Sequence, residues 1–121
     1  RNISGGERQL VLMARAFAQN AKLWLLDEPT ANLDFGNQMK VMGKLKELTE
    51  KGYLVVQSTH NPEQTFWFSD RILALKDGRI LACGDPRRVA TEEIMSQIYQ
   101  IDVEICSLRN GDFKVCLPKK I

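Results

Sequence analysis

Leu23-Trp24-Leu25-Leu26-Asp27-Glu28-Pro29 decides the reading of this chain: four apolar residues run straight into two carboxylates and a proline. A short apolar run of this kind, over residues 22–27, has the pattern of a strand buried on both faces. In α/β sheets ligands gather at the carboxyl ends of strands, where Asp27 and Glu28 would stand. Two like charges side by side are unfavourable there unless a cation or a proton compensates. A strand ending in Asp can hold the Mg²⁺ of a nucleotide, and a neighbouring Glu can orient or deprotonate water. The plainer alternative, a solvated acidic loop, accounts less well for an apolar run that stops so abruptly.

Upstream, Ser4-Gly5-Gly6-Glu7 has the form of a capping box. Leu10, Met13, Ala14 and Phe17 follow at helical spacing, which predicts a helix over residues 6–19 with one buried face. Two glycines at a helix start let backbone N–H groups approach an anion closely, and the helix terminus adds about half a positive charge. Taken alone, the same residues also read as an ordinary capped helix start.

Downstream, Ala31-Asn32-Leu33-Asp34 reads as a turn, with Asp34 capping a helix whose inner face carries Met42, Leu45 and Leu48. Gly52 sits where a C-terminal cap belongs. Residues 53–58 form a second strand-like run, and His60, the sole histidine, follows it directly. A lone histidine is usually structural, but an imidazole at a strand's carboxyl end beside Asp27 and Glu28 could donate to a phosphate oxygen. Asn61-Pro62 suits the entry to a short helix through Phe68. Residues 71–76 and 79–82 flank Asp77-Gly78, a hairpin signal. Thr91 caps a helix ending near Tyr99, and residues 103–108 and 113–117 flank Asn110-Gly111, a second hairpin. Strand–helix–strand alternation followed by hairpins predicts an α/β fold, mostly a parallel sheet with flanking helices and antiparallel hairpins toward the C-terminus.

The composition is that of an ordinary soluble globular chain: 121 residues, 44% hydrophobic and 26% charged. A net charge of +2 is too small to argue for nucleic acid or an anionic membrane surface as a partner. No segment approaches the roughly 20 apolar residues needed to span a bilayer. Cys83, Cys106 and Cys116 fit no zinc or redox spacing and read as reduced thiols in the cytoplasm. The chain opens at Arg1 with a motif close behind it, which reads as a truncated start.

Taken in order and spacing, these motifs closely resemble the ABC ATPase family. Ile3-Ser4-Gly5-Gly6-Glu7 is similar to its signature, with Ile and Glu where Leu and Gln are commoner. Leu25-Leu26-Asp27-Glu28-Pro29-Thr30 resembles the Walker B strand, Ala31-Asn32-Leu33-Asp34 the D-loop, and His60 the switch histidine. The resemblance implies a partial P-loop NTPase fold, with ATP and Mg²⁺ as cofactors. It implies that Asp27 holds Mg²⁺ through water, that Glu28 is the general base, and that His60 contacts the γ-phosphate in the transition state. Ser4, Gly5 and Gly6 would cover the γ-phosphate of ATP on a second ATPase subunit, and Asp34 would couple the two sites of that dimer. Residues 1–100 would be the C-terminal part of the ATPase domain and residues 101–121 a β-hairpin extension.

The resemblance covers the second half of the family's domain. No G-x-x-x-x-G-K-[ST] phosphate loop occurs in the 121 residues, so the chain alone is expected to be inactive and, with apolar faces uncovered, to self-associate. The stretch over residues 71–85 resembles transporter ATPases. The tail, Ile98-Tyr99-Gln100-Ile101-Asp102-Val103 and then Asn110-Gly111-Asp112, resembles the iron-siderophore, haem and vitamin B12 import group. That branch implies transmembrane permease subunits as partners, a cytoplasmic place at the inner face of the cell membrane, and import of a metal chelate. The rival is the head of a chromosome-maintenance or DNA-repair ATPase, which shares Ser-Gly-Gly-Glu and Asp-Glu motifs. Against it stand the lack of any heptad run or basic stripe and the Asp77-Gly78 hairpin.

Overall fold

Asp34 opens the longest helix because its carboxylate accepts the otherwise unpaired N–H of Asn37 at 2.8 Å, while its own carbonyl accepts from Gln38. A computed structural model describes residues 5–121, which form two compact units that divide between His60 and Asn61. In the first unit the order is α1 (Gly5–Ala18), β1 (Leu23–Asp27), α2 (Phe35–Glu50) and β2 (Leu54–Ser58). Helix α2 ends as the glycine predicted. Gly52, at φ +92, donates to Thr49 O and Tyr53 donates to Leu48 O, so two carbonyls at the helix end gain partners.

Strands β1 and β2 pair in parallel, with Leu23 opposite Leu54 and Asp27 opposite Ser58. The long crossover through α2 is what allows this, since parallel strands cannot be joined by a tight turn. Val41, Met42, Leu45 and Leu48 of α2 are buried, as is Trp24 of β1. Each such side chain contributes about 1.5–3 kcal/mol on leaving water.

The strands of this unit differ from the expected burial on both faces, while the open face of α1 agrees with the expectation of an uncovered apolar face. The two strands alternate rather than being buried on both faces: Trp24 is 4% exposed, whereas Leu25 is 71% and Leu54 60% exposed. Among the described residues α2 packs against β2 and α1. On α1, Leu10 and Met13 are half-buried but Ala14 and Phe17 are exposed. Phe17 still meets Tyr53 with ring centroids 5.7 Å apart, and Lys22 Nζ lies 4.9 Å from the same ring.

In the second unit come α3 (Pro62–Phe68), β3 (Ile72–Lys76), β4 (Arg79–Gly84), α4 (Pro86–Val89), α5 (Glu92–Tyr99), β5 (Val103–Leu108) and β6 (Phe113–Pro118). Short connections make both pairs antiparallel: Asp77 and Gly78, at φ +50 and +73, turn β3 into β4. A turn at Arg109–Gly111 joins β5 to β6. The chain is α/β, and its described strands form one parallel and two antiparallel pairs in separate two-stranded sheets. The one-turn helix α4 has no counterpart in the sequence reading. Asp85 caps it through Arg87 N–H, and the Arg87 side chain bonded to Asp85 holds that carboxyl below its ordinary value.

Ala90, Met95 and Val103 form the core of this unit, with Phe66, Ile72, Tyr99, Ile105 and Cys116 against it. Its β5–β6 ribbon is held from two helices. Glu92 of α5 accepts from Ile105 N–H at 2.9 Å, and Glu63 of α3 accepts from Cys116 N–H at 3.0 Å. Ile105 and Cys116 are opposite one another, so each carboxylate satisfies an outward N–H that a two-stranded ribbon leaves open.

Candidate functional site

The parallel register brings candidate site residues together. With Asp27 opposite Ser58, the strands end side by side, and the residues just beyond them, Glu28 and His60, converge. His60 Nε2 lies 3.1 Å from Glu28 Oε1, within reach of an Nε2–H donating to the carboxylate. The His60 side chain is 88% exposed and Glu28 41%, so the pair faces solvent, as groups that meet a ligand must.

Glu28 adopts φ +44, a left-handed conformation that costs a residue with a Cβ roughly 1–2 kcal/mol. The surroundings hold it there. Its carbonyl accepts from Ala31 N–H at 3.0 Å, and its own N–H donates to Ser58 Oγ at 3.0 Å. The same hydroxyl donates to Asp27 Oδ1 at 2.6 Å, a short charge-assisted bond. Strain over-determined by its neighbours is a mark of functional positions.

The turn behind the pair is equally anchored. Pro29 and Thr30 are buried, Leu33 N–H donates to Thr30 O, and Gln38 Nε2 donates to Leu33 O at 2.8 Å. Asn32 takes φ +63, which its short polar side chain tolerates. Asp34 is engaged as the cap of α2 and also accepts from Asn37 Nδ2 at 3.2 Å.

Of the residues singled out in the sequence, Asp27, Glu28 and His60 come together at the strand ends. Asp34 stands at the start of α2, and Gly5 and Gly6 open α1. Ser4 lies outside the described residues. A Cβ on Gly5 would stand 2.9 Å from Leu33 Cδ2, so the first turn of α1 lies against the loop that leads to Asp34. Sequence reasoning missed Ser58. Its signal was the register: a hydroxyl at the last position of the second strand, as Asp27 is at the last of the first.

Residues 1–31 match the ABC transporter family model. The chain is 42% identical over 118 residues to the hemin import ATP-binding protein HmuV of Rhodococcus jostii, covering 98% of this chain and 40% of that protein. The chain belongs to the ABC transporter family. A solved metal-chelate type ABC transporter in an inward-facing conformation superposes on this ABC chain with a TM-score of 0.86 at 33% identity, covering 96% of it and 47% of that structure. A dimeric ATP-binding cassette in a post-hydrolysis state, bound to ADP and Pi, superposes with a TM-score of 0.59 at 39% identity, covering 69% and 36%. The ABC chain thus spans less than half the length of the relatives it matches.

Proposed function

We propose that this segment supplies the hydrolytic carboxylate and the transition-state imidazole of an ATP-hydrolysing cassette that drives import of a metal chelate across a membrane. The observation that carries the reading is the meeting of Glu28 and His60 at 3.1 Å, with Asp27 adjacent, at the carboxyl ends of paired parallel strands. In this reading Glu28 takes the proton of the attacking water, and His60, beside it, donates to the γ-phosphate as negative charge develops there.

The Asp27 carboxylate suits Mg²⁺ held through water. Among the described residues no three His, Cys, Asp or Glu side chains cluster as a metal cage. A cage is not what this ion requires: Mg²⁺ keeps several of its waters and is bound by one or two carboxylates together with substrate phosphates. Held by Asp27, Mg²⁺ would supply positive charge to offset the charge on the transferring group.

The remaining assignments follow the family. Ser4, Gly5 and Gly6 cover the γ-phosphate of ATP on a second ATPase subunit, and Asp34 couples the two sites. The dimeric, ADP-bound relative supports the paired arrangement. The hemin import relative and the metal-chelate transporter support a chelated metal as cargo and permease subunits as partners. The protein then sits in the cytoplasm at the inner face of the membrane; no helix among the described residues is long and apolar enough to cross one. The 121 residues hold no phosphate loop of the G-x-x-x-x-G-K-[ST] form, so by themselves they do not turn over ATP.

Glu28→Gln in the full-length protein is the test. The amide keeps the shape and removes the base, so ATP still binds and phosphate release stops. Turnover at the wild-type rate rules out Glu28 as the base.

A further inference from the structure

We propose that Ser58 is the positioning residue of the acidic pair, fixing the carboxylate of Asp27 and the main chain of Glu28 through one hydroxyl. The proposal rests on the hydrolytic reading above. Ser58 Oγ donates to Asp27 Oδ1 at 2.6 Å and accepts from Glu28 N–H at 3.0 Å. A hydroxyl has one donor and two acceptor positions, so a single rotamer satisfies both bonds at once. The register makes this possible by setting Ser58 directly opposite Asp27 at the last step of the ladder. Beyond that step Glu28 N–H has no strand carbonyl to meet, and the hydroxyl takes the carbonyl's place.

Two consequences follow for the chemistry. Asp27 Oδ1 is occupied, and among the described residues Oδ2 has no protein partner, so Oδ2 is the oxygen left to accept from the water shell of a cation. Glu28, at φ +44, leaves the strand at a fixed angle set by its bonded N–H, and the direction of its side chain toward His60 depends on that angle. Ser58 touches neither water nor phosphate in this scheme. It acts through Asp27 and Glu28.

The experiment is steady-state ATP hydrolysis by the full-length protein, titrated separately in ATP and Mg²⁺, for Ser58→Ala, Ser58→Thr, Ser58→Cys and Glu28→Gln. Partners of a cation-binding carboxylate are worth roughly 10- to 100-fold in metal affinity or activity, and a loss of that size is expected in kcat for Ser58→Ala. KM for ATP should stay within about twofold, because ground-state nucleotide binding does not depend on the hydroxyl. The Mg²⁺ concentration for half-maximal turnover should rise. Threonine keeps the donor and should restore turnover; cysteine, similar in size but a weak donor, should not. If Ser58→Ala does not fold, the threonine–cysteine pair decides on the same readouts. Wild-type kcat and Mg²⁺ dependence without the hydroxyl would overturn the proposal, as would a threonine variant no better than cysteine. Should Glu28→Gln turn over normally, the hydrolytic reading itself fails; should it be dead while Ser58→Ala is normal, only the role of Ser58 fails.

Discussion

His60 Nε2 and Glu28 Oε1 stand 3.1 Å apart although 32 positions separate them in sequence, because two parallel strands end level and each residue follows its strand closely. In the proposed hydrolytic reading, an imidazole placed there would strengthen its contact only as charge develops on the transferring phosphate. His60→Ala in the full-length protein should therefore lower kcat by roughly 100-fold or more while moving KM for ATP far less. A matching loss in ground-state ATP affinity, read by calorimetry, would make His60 a binding or structural residue instead.

Asp34 separates cap from charge. Asp34→Ala removes the acceptor for Asn37 N–H and should cost about 1 kcal/mol of stability by denaturant titration. Asparagine is also a good cap, so Asp34→Asn should lose only a few tenths of that. A stable Asp34→Asn protein with impaired turnover would support the coupling role; equal destabilisation by both variants would show that the cap is not what Asp34 contributes.

Gly5 and Leu33 should be energetically coupled. Replacing glycine by alanine in a helix gains up to about 1 kcal/mol, but here the new Cβ would stand 2.9 Å from Leu33 Cδ2. Gly5→Ala should be near neutral alone and stabilising in a Leu33→Ala background. A double-mutant cycle with no interaction energy would contradict the contact.

Alkylation should separate two of the thiols. Cys83 is exposed, whereas Cys116 is half-buried and its thiol is pushed up by burial, with Glu63 and Glu92 adding to the effect. A raised thiol holds less thiolate near neutral pH, so iodoacetamide should label Cys83 before Cys116 in the folded chain. Peptide mass spectrometry gives the order, and equal rates would show that the second unit does not shield Cys116.

Tyr99 should make the chain sensitive to alkali. Burial pushes its phenol up to about 12 from 10.0, with Cys116 and Glu63 contributing. The folded state favours the neutral phenol, so its contribution is intact below pH 10 and is lost as the pH rises from 10 toward 12. Tyr99→Phe should flatten that part of the stability–pH curve; an unchanged slope would place the alkaline loss elsewhere.

Much of the local architecture was legible because its signals act within a few residues. Asp34, Asn61 and Thr91 cap the helices they precede, and Gly52 and Asp77-Gly78 turn where turn chemistry requires. Helix α4 was not legible, since one turn of helix carries too few residues to show a period. The strands read as buried on both faces also misled. Apolarity in Leu25 and Leu54 shows what a side chain prefers, not whether a neighbouring element covers it.

The sequence by itself marked the candidate site residues and their order: Asp27-Glu28 after one apolar run, His60 after the next, glycines before a helix. It did so because those signals are local in composition and spacing. Only the tertiary structure decided that Asp27 stands opposite Ser58, that Glu28 meets His60, and that Gly5 lies against Leu33. A one-residue slip in a strand register turns every side chain to the other face, and register is set by packing and backbone pairing across the whole crossover. For that reason the hydroxyl joining the two strand ends became visible only once the strands were paired.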